Sequence, residues 1–170
     1  MKKKGILFSM VLMTIVIVDM ALFGPQIFAV VFELPHGFHL DVHGLRLQTP
    51  LFYTTSTGSA YDEYSFNTMP SATRHKKASI TVDFKKHLLG RAEPFSTAMQ
   101  QKVGLRQISK REAVLARRDG ICFEYEDKFG MADIQCSFGT DLHTSFTGSP
   151  NAVEDFYTFM SKAEELPRKN

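Results

Sequence analysis

From Ile6 to Phe32 the chain carries one charge, Asp19, and one break, Gly24-Pro25, and three lysines precede it at Lys2, Lys3 and Lys4. A spanning helix needs roughly 20 mostly apolar residues to cover ~30 Å of hydrocarbon. Ile6 to Gly24 supplies 19 residues, about 28 Å at ~1.5 Å per residue. The run resumes at Ile27, so such a helix could extend or tilt. Residues 1–33 are therefore expected to be a membrane anchor, touching lipid through residues 6–32.

Two other readings compete. A cleaved signal peptide would use the lysines as its basic region and Ile6–Val18 as its apolar core. The cleavage sites are poor, because Ile27-Phe28-Ala29 lacks a small residue two before Ala29 and Gly24 is followed by Pro25. A core helix of a soluble protein would usually keep a polar stripe, and this run has none. The uncleaved anchor is the expectation. No Lys or Arg follows the run until Arg46, so the positive-inside rule puts the N-terminus in the cytoplasm and the remaining chain outside. A carboxylate at the centre of a span costs about 2.5–3.5 kcal/mol. Asp19 is then either interfacial or protonated, or it contacts a helix of another membrane protein.

Residues 34–170 are expected to form a single extracytoplasmic α+β domain. They hold 17 Lys+Arg against 16 Asp+Glu, which argues against a nucleic-acid surface. The dominant pattern has period two. Phe38, Leu40 and Val42 alternate with His39 and Asp41, His43-Gly44 interrupts, and Leu45 and Leu47 flank Arg46, which reads as a hairpin. Residues 54–60 read as a loop by composition. Tyr61–Phe66 reads as a short strand, and Ile80, Val82 and Phe84 mark another. Pro94–Val103 reads as a short helix ended by Gly104. Glu112–Arg118 and Ile121–Glu126 flank Asp119-Gly120, a type I′ hairpin signal. Turns near Lys128–Gly130 and Gly139-Thr140 lead to strands Ala132–Phe138 and Leu142–Thr147. Ser149-Pro150 reads as the cap and first position of a helix. Its apolar stripe is Val153, Phe156, Tyr157, Met160 and Ala163. The fold class is an N-terminal transmembrane helix followed by an antiparallel β-sheet domain with a C-terminal amphipathic helix packed on it.

No Gly-x-Ser-x-Gly, His-Glu-x-x-His, P-loop or Gly-x-Gly-x-x-Gly pattern occurs, so no catalytic or cofactor-binding residue is assigned. His36, His39, Asp41 and His43 are the densest group of potential zinc ligands. Alternate strand positions lie about 6.6 Å apart, too far to close a site unaided, so a solvent-facing edge hairpin is the expectation. Cys122 and Cys136 can form a disulfide in an oxidising compartment or stay as two separately buried thiols. Pairing them centres the turn on Phe129. It also sets Ile121, Phe123 and Tyr125 on the face of Asp133, Gln135 and Ser137, whereas the hydrophobic pattern prefers a shift of one residue. A bulge at Gly130 would reconcile the two. Glu124, Glu126 and Asp127 form an acidic group that suits a solvent face. The basic groups Arg74–Lys77, Lys85–His87 and Arg117-Arg118 suit solvated loops, or anionic headgroups.

The order of elements resembles the Mog1/PsbP-like α/β/α sandwich family. The residues behind it are Gly44-Leu45-Arg46-Leu47 with Pro50, then Gly120–Tyr125, then Phe146-Thr147-Gly148-Ser149 leading into Phe156 and Tyr157. The resemblance covers about residues 37–166. It implies an accessory or assembly role more often than an enzyme, and it transfers no active site. The functional expectation is a membrane-anchored, non-catalytic binding or assembly module. The alternatives are a small hydrolase or transferase using His39, His43 and nearby acids, and a small subunit of a membrane complex.

Overall fold

The computed structural model describes residues 13–14, 17–18, 23–58, 62–68, 77–84 and 97–167. Asp19 and most of the apolar run before Phe23 lie outside the described residues, as do Arg74–Lys76 and Lys85–His87 of the basic groups. Residues 13–14 and 17–18 are helical, and α1 spans 23–33. Among the described residues no helix is long and apolar enough to cross a membrane. α1 runs into a 3-10 turn, Leu34–His36. Among the described residues ten strands and two further helices follow: β1 His39–Val42, β2 Leu45–Gln48, β3 Tyr53–Gly58, β4 Glu63–Thr68, β5 Ala78–Asp83, α2 Thr97–Val103, β6 Leu105–Leu115, β7 Arg118–Asp127, β8 Ala132–Phe138, β9 Leu142–Gly148, α3 Val153–Ser161 and β10 Glu164–Glu165. The domain is α+β, with seven strands in the antiparallel order β3-β4-β5-β9-β8-β7-β6 and a small sheet β1-β2-β10.

The core lies between the main sheet and the layer made by α3 and β2. Leu45 and Leu47 come from β2, Phe66, Ile80, Ile134 and Phe146 from the sheet, and Phe156, Phe159 and Met160 from α3. The Phe66 and Phe159 rings sit 4.9 Å apart, and those of Phe146 and Phe156 5.6 Å apart. The sequence stripe missed Phe159, which is as buried as Phe156. Ser149 precedes a 3-10 turn, Pro150–Ala152, but its side chain caps nothing. Its hydroxyl instead accepts the Lys77 N–H at 3.0 Å and so fixes the start of β5.

Two hairpin expectations meet different fates. His43 and Gly44 form the β1–β2 turn, with φ of 47° and 76° and Val42 opposite Leu45. Asp119-Gly120 is not a turn. Leu115 pairs with Arg118, so Ala116 and Arg117 form the β6–β7 connection, with φ of 49° and 64°. Gly120 lies within β7, where a Cβ would strike the Phe138 ring and the Ser137 carbonyl. Glycine is there for close packing of strand against side chain, and the dipeptide mimics a turn signal. The polar loop expected over 54–60 is also corrected over 54–58, while residues 59–60 lie outside the described residues. Tyr53–Gly58 is a strand paired along its length with β4, because threonines suit a pleated surface as well as a loop. The helix expected over Pro94–Val103 is described from Thr97 onward and ends at Gly104, φ 71°.

α1 is tied into the domain at its end. Ala29 and Glu33 are almost fully buried. The Glu33 carboxylate accepts the Thr55 N–H at 2.6 Å and faces the Thr49 hydroxyl at 3.4 Å. Phe23, Ile27, Phe28, Val31 and Phe32 remain exposed on the same helix.

Candidate functional site

Of the residues singled out as zinc ligands, His39 and Asp41 approach each other, with Nε2 4.0 Å from Oδ1, and among the described residues no third joins them. The His39 ring nitrogen Nδ1 lies 3.0 Å from the Gly37 carbonyl. Asp41 is gripped at both oxygens by Arg46, at 2.9 and 2.8 Å, and that hydrogen-bonded pair holds its carboxyl below the ordinary value. His43 turns away at the hairpin tip, stacks on Phe84 with centroids 4.5 Å apart, and lies 3.5 Å from Asp62. His36 lies in the 3-10 turn. Among the described residues no group of three or more His, Cys, Asp or Glu is placed to hold a metal.

Cys122 and Cys136 are disulfide-bonded and directly opposed on β7 and β8. In this register Phe123 opposes Gln135 and Tyr125 opposes Asp133. The hydrophobic pattern is satisfied without a shift because the middle of β7 is buried on both faces, from Cys122 through Tyr125.

The acidic group is split three ways, and the expectation of a common solvent face fails for Glu124. Glu126 pairs with Arg106 at 2.6 Å. Asp127 accepts the N–H groups of Phe129 and Met131, each at 2.8 Å, and closes the β7–β8 turn. Glu124 is buried beneath α3. Its carboxylate accepts hydrogen bonds from the Ser109 hydroxyl at 2.5 Å, the Arg111 guanidinium at 2.6 Å and the Tyr157 hydroxyl. The Arg111 guanidinium also lies over the Tyr157 ring, 4.4 Å from its centroid.

A β-bulge builds this cluster. Arg106 opposes Glu126 and Gln107 opposes Tyr125, so regular pairing would set Ile108 against Glu124. The register shifts after Gln107 and brings Ser109 there instead, with Arg111 on the same face. Ile108 is left at the exposed edge. Burial pushes the Glu124 carboxyl up, but the hydrogen bonds from Ser109 and Tyr157 and the charge of Arg111 outweigh it and hold the group below its usual 4.5. Burial, then the bond to Glu124, keeps the Tyr157 phenol far above its usual 10.0. A phenol so held is a donor and no base.

Arg111 and Tyr157 of the cluster form part of the wall of a groove of about 1330 Å³, which opens between the two sheets. Arg111 to Val114 and the Ala116–Arg118 turn line one side; Ala163 to Pro167 and the His43-Gly44 tip line the other. Tyr157 and Met160 of α3 lie at the bottom. His43 reaches this groove and His39 does not.

One arrangement escaped the sequence reading. Asp83, His143 and Ser137 stand in a row across β5, β9 and β8, and the Ser137 hydroxyl lies 2.7 Å from His143 Nδ1. A hydrolytic triad needs serine at Nε2 and carboxylate at Nδ1. Here Nε2 is buried with no hydrogen-bond partner among the described residues, and serine occupies the other nitrogen. The row is a cross-strand polar ladder without triad geometry. Only the strand register could have revealed it.

No protein-family model matches the chain. No curated protein sequence matches it significantly. Among solved structures, the fold is similar to the solution structure of cyanobacterial PsbP (CyanoP) from Synechocystis sp. PCC 6803, with a TM-score of 0.46 and 12% identity over 72% of this chain and 87% of that one.

Proposed function

We propose that the protein is a membrane-anchored, non-catalytic binding or assembly module whose α+β domain faces the extracytoplasmic side. The observation that carries the binding role is the groove. It is broad and open, and two polar side chains of its lining, Arg111 and Tyr157, are already engaged by the buried Glu124 behind them. Groups so engaged shape a surface.

The anchoring rests on the apolar run behind Lys2–Lys4 and on α1, which exposes five large apolar residues and yet ends in the buried Glu33. Such a helix needs an apolar surrounding along most of its length, and its Glu33 contact leaves no loose linker before the domain. The placement outside the cytoplasm rests on the lysines and agrees with a disulfide.

A photo-crosslinking amino acid at Val114, on the groove wall, is the test of the binding role. It is installed in the full chain in native membranes, with Phe129 on the far turn as control. Val114 should give a discrete protein adduct and Phe129 none. No adduct, or the same adducts from both, would overturn the reading. Protease added to intact cells should degrade the domain, and full protection beside a cleaved external control would overturn the topology. N-terminal sequencing of the mature chain should find Met1 or Lys2, and a new N-terminus between Gly24 and Glu33 would overturn the anchor.

A further inference from the structure

Both sides of the groove are strand edges. β6 ends the seven-stranded sheet and β10 ends the small one, and both contribute to the lining. In an antiparallel ladder each strand turns alternate N–H and C=O groups towards its partner and the others away. Leu166 donates its N–H to the Gly44 carbonyl at 2.8 Å, so the alternation turns the N–H and C=O of Glu165 away from β2. β6 likewise turns every second residue's backbone groups away from β7. Natural edges are blunted by bulges. The bulge of β6 lies at Gln107–Ser109, and the pairing is regular from Ser109 to Leu115, which includes the stretch along the groove.

Charge narrows the occupant. Arg117 is exposed at the tip of the β6–β7 turn, and its guanidinium makes no ion pair among the described residues. Arg118 beside it reaches Asp141 only at 3.4 Å. Further along β6 stands Glu112, and across the groove stand Glu164 and Glu165. The lining therefore offers cations at the turn and the carboxylate of Glu112 further along β6, where its neighbour Arg111 is already paired with Glu124; across the groove Glu164 stands opposite Arg46 and Glu165 beside it. The bottom offers Tyr157 and Met160, which suits apolar side chains at alternate positions.

We propose that the groove binds an extended segment of a partner protein by strand addition to the β6 and β10 edges, with an acidic residue of the segment against Arg117. This mode rests on the reading of the groove as a binding site. Main-chain hydrogen bonds supply the attachment, and the pockets for alternate side chains supply selectivity. A basic residue further along the segment meets Glu112 or Glu165, and this polarity fixes its direction.

The test is a displayed library of random nine-residue peptides selected against the detergent-solubilised full chain. Selected peptides should share a period-two apolar pattern and an Asp or Glu at one fixed position. R117E should weaken them by about tenfold, equivalent to about 1.4 kcal/mol, and reduce the salt dependence of binding. Glu165→Pro removes the outward N–H and leaves the Leu166 bond to Gly44 in place, so it should weaken the same peptides while the melting temperature holds. On binding, hydrogen exchange should slow in β6 and β10 and stay unchanged in β3. The proposal is overturned if no peptide is enriched, if the enriched peptides lack the acid, or if they bind both variants as tightly as the parent. If the Val114 crosslink to a protein persists in any of these cases, strand addition falls and the binding role stands; if the crosslink is missing too, both fall.

Discussion

Glu124 and Asp133 are two carboxylates on neighbouring strands, one residue out of step and on opposite faces of the same sheet. Glu124 opposes Ile134, and Asp133 opposes Tyr125. Burial pushes both carboxyls up. Glu124 receives three donors, one of them a guanidinium, and ends below its usual value. Asp133 receives hydrogen bonds from Gln135 and Thr147, both neutral, and burial wins, so it ends above 3.8. Burial is thus outweighed at Glu124, where a guanidinium stands within reach, and prevails at Asp133, where the donors are neutral. The α3 face is built to hold a charge; the other face tolerates one.

The largest expected effect tests whether the α3 face is held by its apolar layer before its charges. Phe156→Ala removes a fully buried ring from contact with Phe146. Truncation of a buried Phe typically costs ~3–5 kcal/mol, against total stabilities of ~5–15 kcal/mol. The melting temperature of the full chain should fall sharply. Glu154→Ala, on the exposed side of α3, should leave it nearly unchanged. Equal melting temperatures for Phe156→Ala and the parent would detach α3 from the core.

Glu124→Gln is expected to come next, at about 1–3 kcal/mol for hydrogen-bond partners left poorly matched. Arg111 is half exposed and can turn to water, which keeps the loss below that of a fully buried pair. The pH dependence gives the sign. A carboxyl depressed in the folded state contributes stability that is present above its unfolded value, near 4.5, and is lost as pH falls through the folded value. The gap between parent and variant should be constant at neutral pH and close in acid, as followed by urea denaturation from pH 7 to pH 3. A gap unchanged in acid would mean that Glu124 is not held as the ion.

The apolar layer was legible in the sequence and the charged cluster was not. Period-two runs such as Ile80-Thr81-Val82 and the spacing Phe156–Met160 report burial directly, because side-chain direction follows the backbone period. Glu124 is invisible to that logic. Its neighbours Glu126 and Asp127 made it look like part of a solvated run, and only the bulge after Gln107 puts Ser109 opposite it. A bulge is one unpaired residue with no compositional mark. Gly120 misled for a related reason: a glycine needed for a close approach to Phe138 cannot be told from one needed for a turn. The groove was equally hidden, since β10 is two residues long and its partner β2 lies over a hundred residues earlier in the chain.

The smallest expected effect has the opposite sign and tests the comparison most directly. Asp133 is raised in the folded state, so its ionised form costs stability there. That cost is absent below the unfolded value, near 3.8, grows as pH rises through the folded value, and is complete above it. Asp133→Asn keeps an oxygen to accept the Gln135 amide, now 2.7 Å from Oδ1, and removes the charge. The variant should therefore be slightly more stable than the parent at pH 7, by less than about 1 kcal/mol, within the ordinary range for one hydrogen-bonded polar group. At pH 3 the advantage should vanish, because the parent carboxyl is then protonated too. Denaturation at the two pH values decides it. Were Asp133→Asn destabilising at pH 7, Asp133 would be held as an ion in the way Glu124 is, and the two faces of the sheet would not differ.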